Sequence, residues 1–352
     1  MKLEFGEIYE RELARIAQED SAWNRLKGKT ILLSGATGMV GKCMVDLTMR
    51  YNEAADAPVT IITLSRNSQT AAERFERYMG KETFRYISCD INDSIPECGM
   101  VDYVIHAASN THPVQYAADP IGTIASNVMG TKNLLDYAVS HGAQRFCFVS
   151  SVEIYGENRG DVEAFDEEYL GYLNCNTLRA GYPESKRLGE TMCHAYGHTY
   201  RLEFVIPRLS RIYGPTMLGT DSKAVAQFIK KAATGENIVL KSEGNQKYSY
   251  TFVTDAVAGI LCAMTQGESG RAYNVADRKS DITLKELAHI LAQIAGTQVI
   301  FERPEETERC GYSGRTKGML DPSRLEELGW QAYVHLEDGL RCTVERLRQQ
   351  AE

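Results

Sequence analysis

Tyr182 and Lys186 lie four residues apart in Tyr182-Pro183-Glu184-Ser185-Lys186, a spacing that puts both side chains on one face of a helix. A phenol with its free pKa of about 10 is a poor base at neutral pH. An ammonium held on the same face stabilises the phenolate and lowers that value. Ser151 ends an apolar run, Arg145 to Val149 with Ser150, and can hydrogen-bond the reacting oxygen while sharing its proton with Tyr182. The chemistry these three suit is removal of a proton from a hydroxyl.

Such a trio needs a partner group, and a second motif supplies a place for one. The apolar run Thr30 to Leu33 reads as a buried strand; Gly35, Gly38 and Gly41 follow at three-residue spacing, and Lys42 to Arg50 continues with helical periodicity. The first glycine permits a tight turn, the second lets backbone approach a pyrophosphate, and the third lets helix pack on strand. The helix N-terminus then offers N–H groups and a positive dipole end to the phosphates. Strand, turn and helix in this order predict a dinucleotide site.

Further strands must flank that unit. Val59–Leu64 reads as the second, Phe84–Ser88 the third, Val101–Ser109 the fourth and Arg145–Ser151 the fifth, with a helix from Asn127 to about His141 between the last two. An acidic residue at the tip of the second strand would take the ribose hydroxyls and favour NAD; here Ser65 and Arg66 stand there and can meet a 2′-phosphate, which leans the cofactor towards NADP. Asp90 is placed to accept from an adenine amine, or to cap its own turn. Ala107, Ala108 and Ser109 are small enough to let a flat cofactor lie close. Alternating strands and helices predict an α/β fold, a Rossmann-type doubly wound parallel sheet with right-handed crossovers.

The rest of the chain is divided around this core. Residues 1–28 form an amphipathic helical preface with Leu3, Phe5, Ile8, Tyr9, Leu13 and Ile16 as its apolar positions, and Trp23 and Leu26 tucked against the first strand. Residues 29–206 make the NAD(P)-binding domain, to which some later segments return, closing with a helix over 183–200 and a strand over 202–206. Residues 207–352 form mainly a smaller, interleaved α/β substrate lobe with helices over 224–234, 282–295 and 336–348, and the cleft between lobes is the expected substrate site.

Bulk composition narrows the function classes. The 352 residues carry a net charge of −8 and no basic run, which argues against nucleic acid. Hydrophobic content of 43% with 24% charged residues is that of a globular chain. The nine cysteines are scattered without a Cys-x-x-Cys pair, which fits reduced thiols better than disulfides or zinc. The charged N-terminus predicts no signal peptide and no run approaches membrane-spanning length, so the expected location is cytoplasmic, away from membranes. Cys193, His194 and His198 have helical spacing for a metal, but no third ligand is evident nearby and no metal is expected.

Read together, the motifs resemble an extended short-chain dehydrogenase/reductase of the nucleotide-sugar epimerase/dehydratase branch. They are the Gly35–Gly41 turn, the Asp90 motif, His106-Ala107-Ala108, Asn127, Ser150-Ser151-Val152-Glu153-Ile154-Tyr155-Gly156, and Tyr182-Pro183-Glu184-Ser185-Lys186. Pro207-Arg208, Tyr213-Gly214-Pro215, Phe252-Val253-Thr254-Asp255, Tyr273-Asn274-Val275, Asp321 and Leu328-Gly329-Trp330 follow in family order. The resemblance implies an enzyme with tightly held NAD(P), Tyr182 as base, Lys186 as its electrostatic partner and ribose ligand, and Ser151 as proton-sharing donor. It assigns further cofactor contacts to Thr37, Met39, Val40, Ile91 and Asn127. It also implies a homodimer built on the helices 127–141 and 183–200.

Within that resemblance Glu153 is the discriminating residue. Simple 4-epimerases of the family carry a small or hydroxyl residue there, whereas dehydratases and UDP-glucuronate decarboxylases carry glutamate. After oxidation at C4 the C5 proton is acidic, and a carboxylate at 153 could abstract it and drive loss of water across C5–C6. The glucose-type dehydratases pair the glutamate with a neighbouring aspartic acid, and here that position is Val152; GDP-mannose dehydratases use a Thr-Ser-Glu arrangement and NADP. Two substrate positions depart as well: Arg211 stands where the family has asparagine and Tyr248 where it has arginine, both normally at the nucleotide diphosphate, so Arg211 can replace the cation lost at 248. Arg315, Arg278 and Lys317 are further substrate candidates. The expected activity is 4,6-dehydration of a nucleotide sugar, ahead of 4-epimerisation and then decarboxylation. A non-catalytic NADP-sensing protein and a simple NADPH carbonyl reductase are the rivals outside that group.

Overall fold

A computed structural model describes residues 7–109, 118–302 and 317–351. Seven parallel strands form the main sheet in the order β11-β7-β5-β4-β1-β2-β3, where β1 is Thr30–Ser34, β2 Thr60–Ser65, β3 Phe84–Ser88, β4 Tyr103–His106, β5 Arg145–Phe148, β7 Glu203–Leu209 and β11 Arg271–Val275. A short β6, Ser150–Ser151, pairs with the end of β7. The order reverses between β1 and β4, the switch point at which open α/β sheets bind ligands beyond the carboxyl ends of their strands.

Alternation along the strands loads both faces. Ile31, Leu33, Ile61, Ile105, Cys147 and Val205 point to one side, against the helices Met39–Asn52 and Val253–Gln266. Leu32, Ile62, Val104, Phe146, Phe148 and Ile206 point to the other, against Pro120–Ser140 and Gly181–Tyr200. Strands buried on both faces are apolar at nearly every position, which is why they read as continuous runs.

The smaller elements cross beside the C-terminal edge. β10 (Lys247–Phe252) lies between β12 (Asp281–Thr283) and β14 (Lys317–Gly318) in its first half and pairs with β8 (Arg211–Tyr213) in its second. β9 (Ile238–Leu240) and β13 (Val299–Phe301) form a two-stranded sheet.

Several expectations shift. The preface helix is Ile8–Glu19 with Ile8, Tyr9, Leu13 and Ile16 buried; Leu3 and Phe5 lie outside the described residues. It docks on the helix after β1: Trp23 stacks on Tyr51 with ring centres 4.2 Å apart, and the Tyr9 hydroxyl donates to Asp46 at 2.8 Å, while Trp23 and Leu26 share one core with Ile31 and Leu33 of β1. Asn127 does not open its helix. Asp119 caps it, accepting from the Gly122 N–H at 2.9 Å with Pro120 in the first turn, so Asn127 sits two turns in. The helix expected from 282 starts at Leu284, because Thr283 and Glu286 close a capping box and residues 281–283 pair as strand. The single strand expected over 145–151 is two pieces. Between them the Val149 carbonyl accepts from Lys186 Nζ at 2.8 Å, and Pro207 on β7 brings no N–H to the ladder.

Candidate active site

The glycine turn is built for close approach. Gly35 has φ +74°, and a Cβ there would stand 2.6 Å from the backbone of Ala107 and Ala108. A Cβ on Gly41 would stand 2.3 Å from the Gly35 carbonyl oxygen, so this glycine seats the helix on the turn. A Cβ on Gly38 would meet only the Gly35 carbonyl, at 3.2 Å. Gly38 is the N-cap of Met39–Asn52 and brings no side-chain cap, leaving the first N–H groups to a ligand. Gly35, Gly38, Met39, Val40, Gly41, Ala107 and Ser109 line one cavity of about 230 Å³ with Ser151, Glu153, Tyr182 and Lys186.

The other cofactor candidates lie off that cavity. Ser65 ends β2 with its hydroxyl buried and without a hydrogen-bond partner among the described residues, an orphan polar atom suited to a ribose hydroxyl or phosphate. Arg66 beside it is exposed, with Nη1 3.8 Å from Asp90 Oδ2, while Asp90 Oδ1 accepts from the Asn92 N–H at 3.0 Å. Asp90 thus caps its turn with one oxygen and faces Arg66 with the other. Thr37 is half-buried in the turn. Ile91 is packing: it is buried, and its Cδ1 fills the space beside Gly130. Asn127 is a brace, its amide donating to Ser185 Oγ at 2.8 Å and its carbonyl oxygen accepting from Ser109 Oγ at 2.6 Å. Ser185 Oγ in turn donates to the Tyr182 carbonyl at 2.9 Å, so Asn127 fixes the turn that carries Tyr182.

Tyr182 and Lys186 occupy the first turns of Gly181–Tyr200, both buried. Burial lowers the Lys186 ammonium to about 8, opposed by the Glu190 carboxylate one turn on. Glu190 is itself fixed by Ser150 Oγ at 2.6 Å and Arg208 Nη2 at 2.7 Å. Arg208 also donates to the Tyr155 hydroxyl at 2.9 Å, which donates to Asn274 at 2.8 Å, and Asn274 donates to the Asp321 carbonyl at 3.1 Å. The motif residues after 150 therefore knit later segments behind the site.

Ser151 caps the short 3-10 turn Val152–Tyr155, its Oγ accepting from the Glu153 N–H at 3.3 Å, and that turn carries Glu153 into the cavity. There Glu153 lies between two guanidiniums, Arg179 Nη2 at 3.9 Å from Oε2 and Arg211 Nη2 at 3.9 Å from Oε1. Sequence reasoning missed Arg179, although its place three residues before Tyr182 was a helical-face signal. It also missed Asp221 and Lys223, which pair at 3.0 Å on the cavity wall. Arg211 and Tyr248, singled out separately, are in contact: the guanidinium carbon is 3.7 Å from the ring centre. Arg278 is engaged on the surface with Glu326 at 2.6 Å, and Lys317 faces Glu163 at 3.7 Å. Arg315 lies outside the described residues.

Among the described residues no group of three or more His, Cys, Asp or Glu side chains is placed to hold a metal. Cys193 is buried, and His194 sits edge-on to Phe204 beside a shallow hollow at the far end of its helix. No helix among the described residues is long and apolar enough to cross a membrane.

A parallel sheet with a dinucleotide cradle at its switch point, and a serine, tyrosine and lysine in the adjoining cavity, defines a dehydrogenase-type fold. A model of the NAD dependent epimerase/dehydratase family matches residues 31–276, and the chain belongs to that family. It is 30% identical over 92% of its length to UDP-glucuronic acid decarboxylase 1 of Xenopus tropicalis, covering 73% of that protein. Against the dTDP-glucose 4,6-dehydratase DesIV of Streptomyces venezuelae, solved with NAD, it is 25% identical with a TM-score of 0.78 over 91% of this chain and 97% of that one. The UDP-glucose 4-epimerase of Thermotoga maritima shares the fold at a TM-score of 0.77 and 24% identity, over 92% of this chain and 100% of that one. The chain is accordingly an enzyme of an NAD-dependent family.

Proposed function

We propose that the chain oxidises a nucleotide sugar at C4 and then uses the C4 ketone to release carbon dioxide from C6, in the manner of the decarboxylases it is similar to. The observation that carries the oxidation is the convergence of Ser151, Tyr182 and Lys186 on the cavity that the Gly35–Gly41 cradle opens into. Gly35, Gly38 and the first turn of Met39–Asn52 would hold the dinucleotide of NAD(P), which would supply a reversible hydride acceptor for C4. Tyr182 takes the C4 hydroxyl proton, Ser151 hydrogen-bonds the same oxygen, and the Lys186 charge stabilises the phenolate. A ketone at C4 is β to a C6 carboxylate, so breaking C5–C6 leaves its electron pair in an enolate that is reprotonated at C5.

Dehydration, the expectation from sequence, is the second reading and rests on Glu153 in the cavity as the C5 base. Two features weigh against it. Val152 removes the neighbouring acid that would protonate a leaving hydroxyl, and each carboxylate oxygen of Glu153 has a guanidinium 3.9 Å away, from Arg179 and Arg211. Incubation with UDP-, dTDP-, GDP- and CDP-linked sugars, without added reductant, tests both by mass spectrometry. Loss of carbon dioxide from a uronic acid supports the first, loss of one water the second, and unchanged mass with an inverted carbon makes the enzyme an epimerase. No turnover of any sugar would sink the proposal.

We further propose that Ser65 and Arg66 receive a 2′-phosphate and favour NADP, and that two copies pair through Pro120–Ser140 and Gly181–Tyr200. Ile121, Ile124, Met129 and Leu188 on those helices are exposed apolar side chains. All described cysteines are free, in keeping with a reducing, cytoplasmic setting.

A further inference from the structure

Tyr182, Lys186 and Glu190 recur every four residues along Gly181–Tyr200 and so share one face of that helix. Two strands meet the last of them. Ser150 of β6 and Arg208 of β7 are register partners in a parallel pair, and both reach the same buried carboxylate. Ser150 Oγ donates to Glu190 Oε1 at 2.6 Å, while Arg208 gives Nε to Oε1 at 3.1 Å and Nη2 to Oε2 at 2.7 Å. This bidentate fork fixes the carboxylate in place. Gly189 makes the close approach possible, since a Cβ there would stand 2.4 Å from the Phe148 ring. Arg208 Nη1 also reaches the Tyr155 hydroxyl at 2.9 Å, at the end of the turn that carries Glu153. Glu190 therefore ties the strand end bearing Ser151 to the helix bearing Tyr182.

Among the described residues Lys186 forms no ion pair; its ammonium donates to the Val149 carbonyl at 2.8 Å and lies over the Phe148 ring. Burial works against its charge, and the groups that favour it are Glu190 and then the Cys193 thiol, both on its own helix. Burial pushes that thiol well up, so it is uncharged near neutral pH. From β4 the facing group is His106, kept neutral by its own burial and then by the Lys186 charge. Glu190 is thus the carboxylate that opposes burial at Lys186. We propose that Glu190 is a positioning residue for the proton transfer at C4. Through Ser150 it sets where Ser151 stands, and its charge, one turn beyond Lys186, holds the ammonium that Tyr182 needs to act as base. Ser150, Ser151, Tyr182 and Lys186 line the cavity and Glu190 stands behind it, acting on substrate only through them. This role presupposes the C4 reading above.

The pH profile of kcat and the titration of Lys186 itself test this role together. The titration is followed by NMR in holoenzyme carrying isotope-labelled lysine, the resonance being assigned by its absence in Lys186→Met. Glu190→Gln keeps the shape and the acceptor for Ser150 and removes the charge. Its Lys186 should titrate about one pH unit lower than in wild type, and the alkaline limb of kcat should move with it. Glu190→Asp keeps the charge and should keep the wild-type limb even where kcat falls. Ser150→Ala keeps the charge and removes the tether, so kcat should drop about tenfold or more at every pH with the limb in place. Glu190→Gln leaves Arg208 buried without its partner, so the same readings are taken in Glu190→Gln combined with Arg208→Gln, and thermal unfolding reports which variants are folded. A wild-type Lys186 titration and limb in the folded glutamine variants overturn the inference, because a merely structural Glu190 would lower only the melting temperature. So does a Ser150→Ala enzyme with wild-type kcat. The C4 reading fails separately, if no sugar nucleotide gives product while the Lys186 resonance still answers to Glu190.

Discussion

Lys186 Nζ donates to the Val149 carbonyl at 2.8 Å, at the point where the fifth strand of the sheet breaks into two pieces. The contact joins the helix that carries Tyr182 to the strand end that carries Ser151, and buries the ammonium with its charge 4.8 Å from the Phe148 ring.

That burial makes Lys186 a pH-sensitive element. The unfolded chain keeps the proton up to about 10.5, while the folded protein releases it near 8. Between these values the unfolded state binds more protons, so the contribution of this group to stability rises with pH; below about 8 the cost of burying the charge is present in full. Urea unfolding of wild type and Lys186→Met over this window should show a rising difference in favour of wild type. Activity should run the other way, declining above about pH 8 as the ammonium is lost. The methionine variant should lose roughly 10²–10⁴-fold in kcat.

The three glycines should respond differently to alanine. At Gly41 the added Cβ meets the Gly35 carbonyl at 2.3 Å, and Gly41→Ala is expected to cost about 1–3 kcal/mol from overpacking alone. Gly35→Ala adds strain at φ +74° to a 2.6 Å backbone contact and should fold no better. Gly38→Ala meets one oxygen at 3.2 Å, so it should retain most of its stability yet bind cofactor more weakly, the methyl standing where the pyrophosphate approaches. Thermal unfolding with and without NAD separates the cases.

Arg66→Ala tests the 2′-phosphate reading. If Arg66 and the orphan Ser65 hydroxyl meet that phosphate, the variant should lose about tenfold in NADP affinity and little in NAD affinity. Fluorescence titration with both cofactors checks this, and no change in the NADP-to-NAD ratio would remove the preference.

Glu153→Gln distinguishes the two uses of that carboxylate. As C5 base its loss should abolish turnover. As counter-ion between Arg179 and Arg211 its loss should leave decarboxylation of a uronic acid within about tenfold of wild type, with KM moving more than kcat. Steady-state kinetics on UDP-glucuronate, with product mass recorded, decide it.

The parts of this protein legible in its sequence are those whose physics is local. A glycine at a left-handed φ or under a helix is demanded by its neighbours within a few residues, so the Gly35–Gly41 cradle was readable without a fold. Tyr182 and Lys186 were readable because four residues make one helical turn, and the strands because burial on both faces leaves apolar runs. Cap signals were present and passed over, as at Asp119-Pro120 and Thr283 with Glu286, which is why two helix starts moved.

What the tertiary structure alone decided is which distant charges meet. Arg211 and Tyr248 read as two independent departures from a family pattern until the pairing of β8 with β10 stacked one on the other. Asn127 read as a cofactor ligand, and only the packing of two helices shows that its amide also donates to Ser185. Glu153, Arg179 and Arg211 come from a turn, a turn and a strand, and no periodicity links them. Side-chain type and spacing settle conformation within a turn or a strand, whereas the electrostatics of a cavity depend on separations of a few ångströms between segments that only the folded chain brings together.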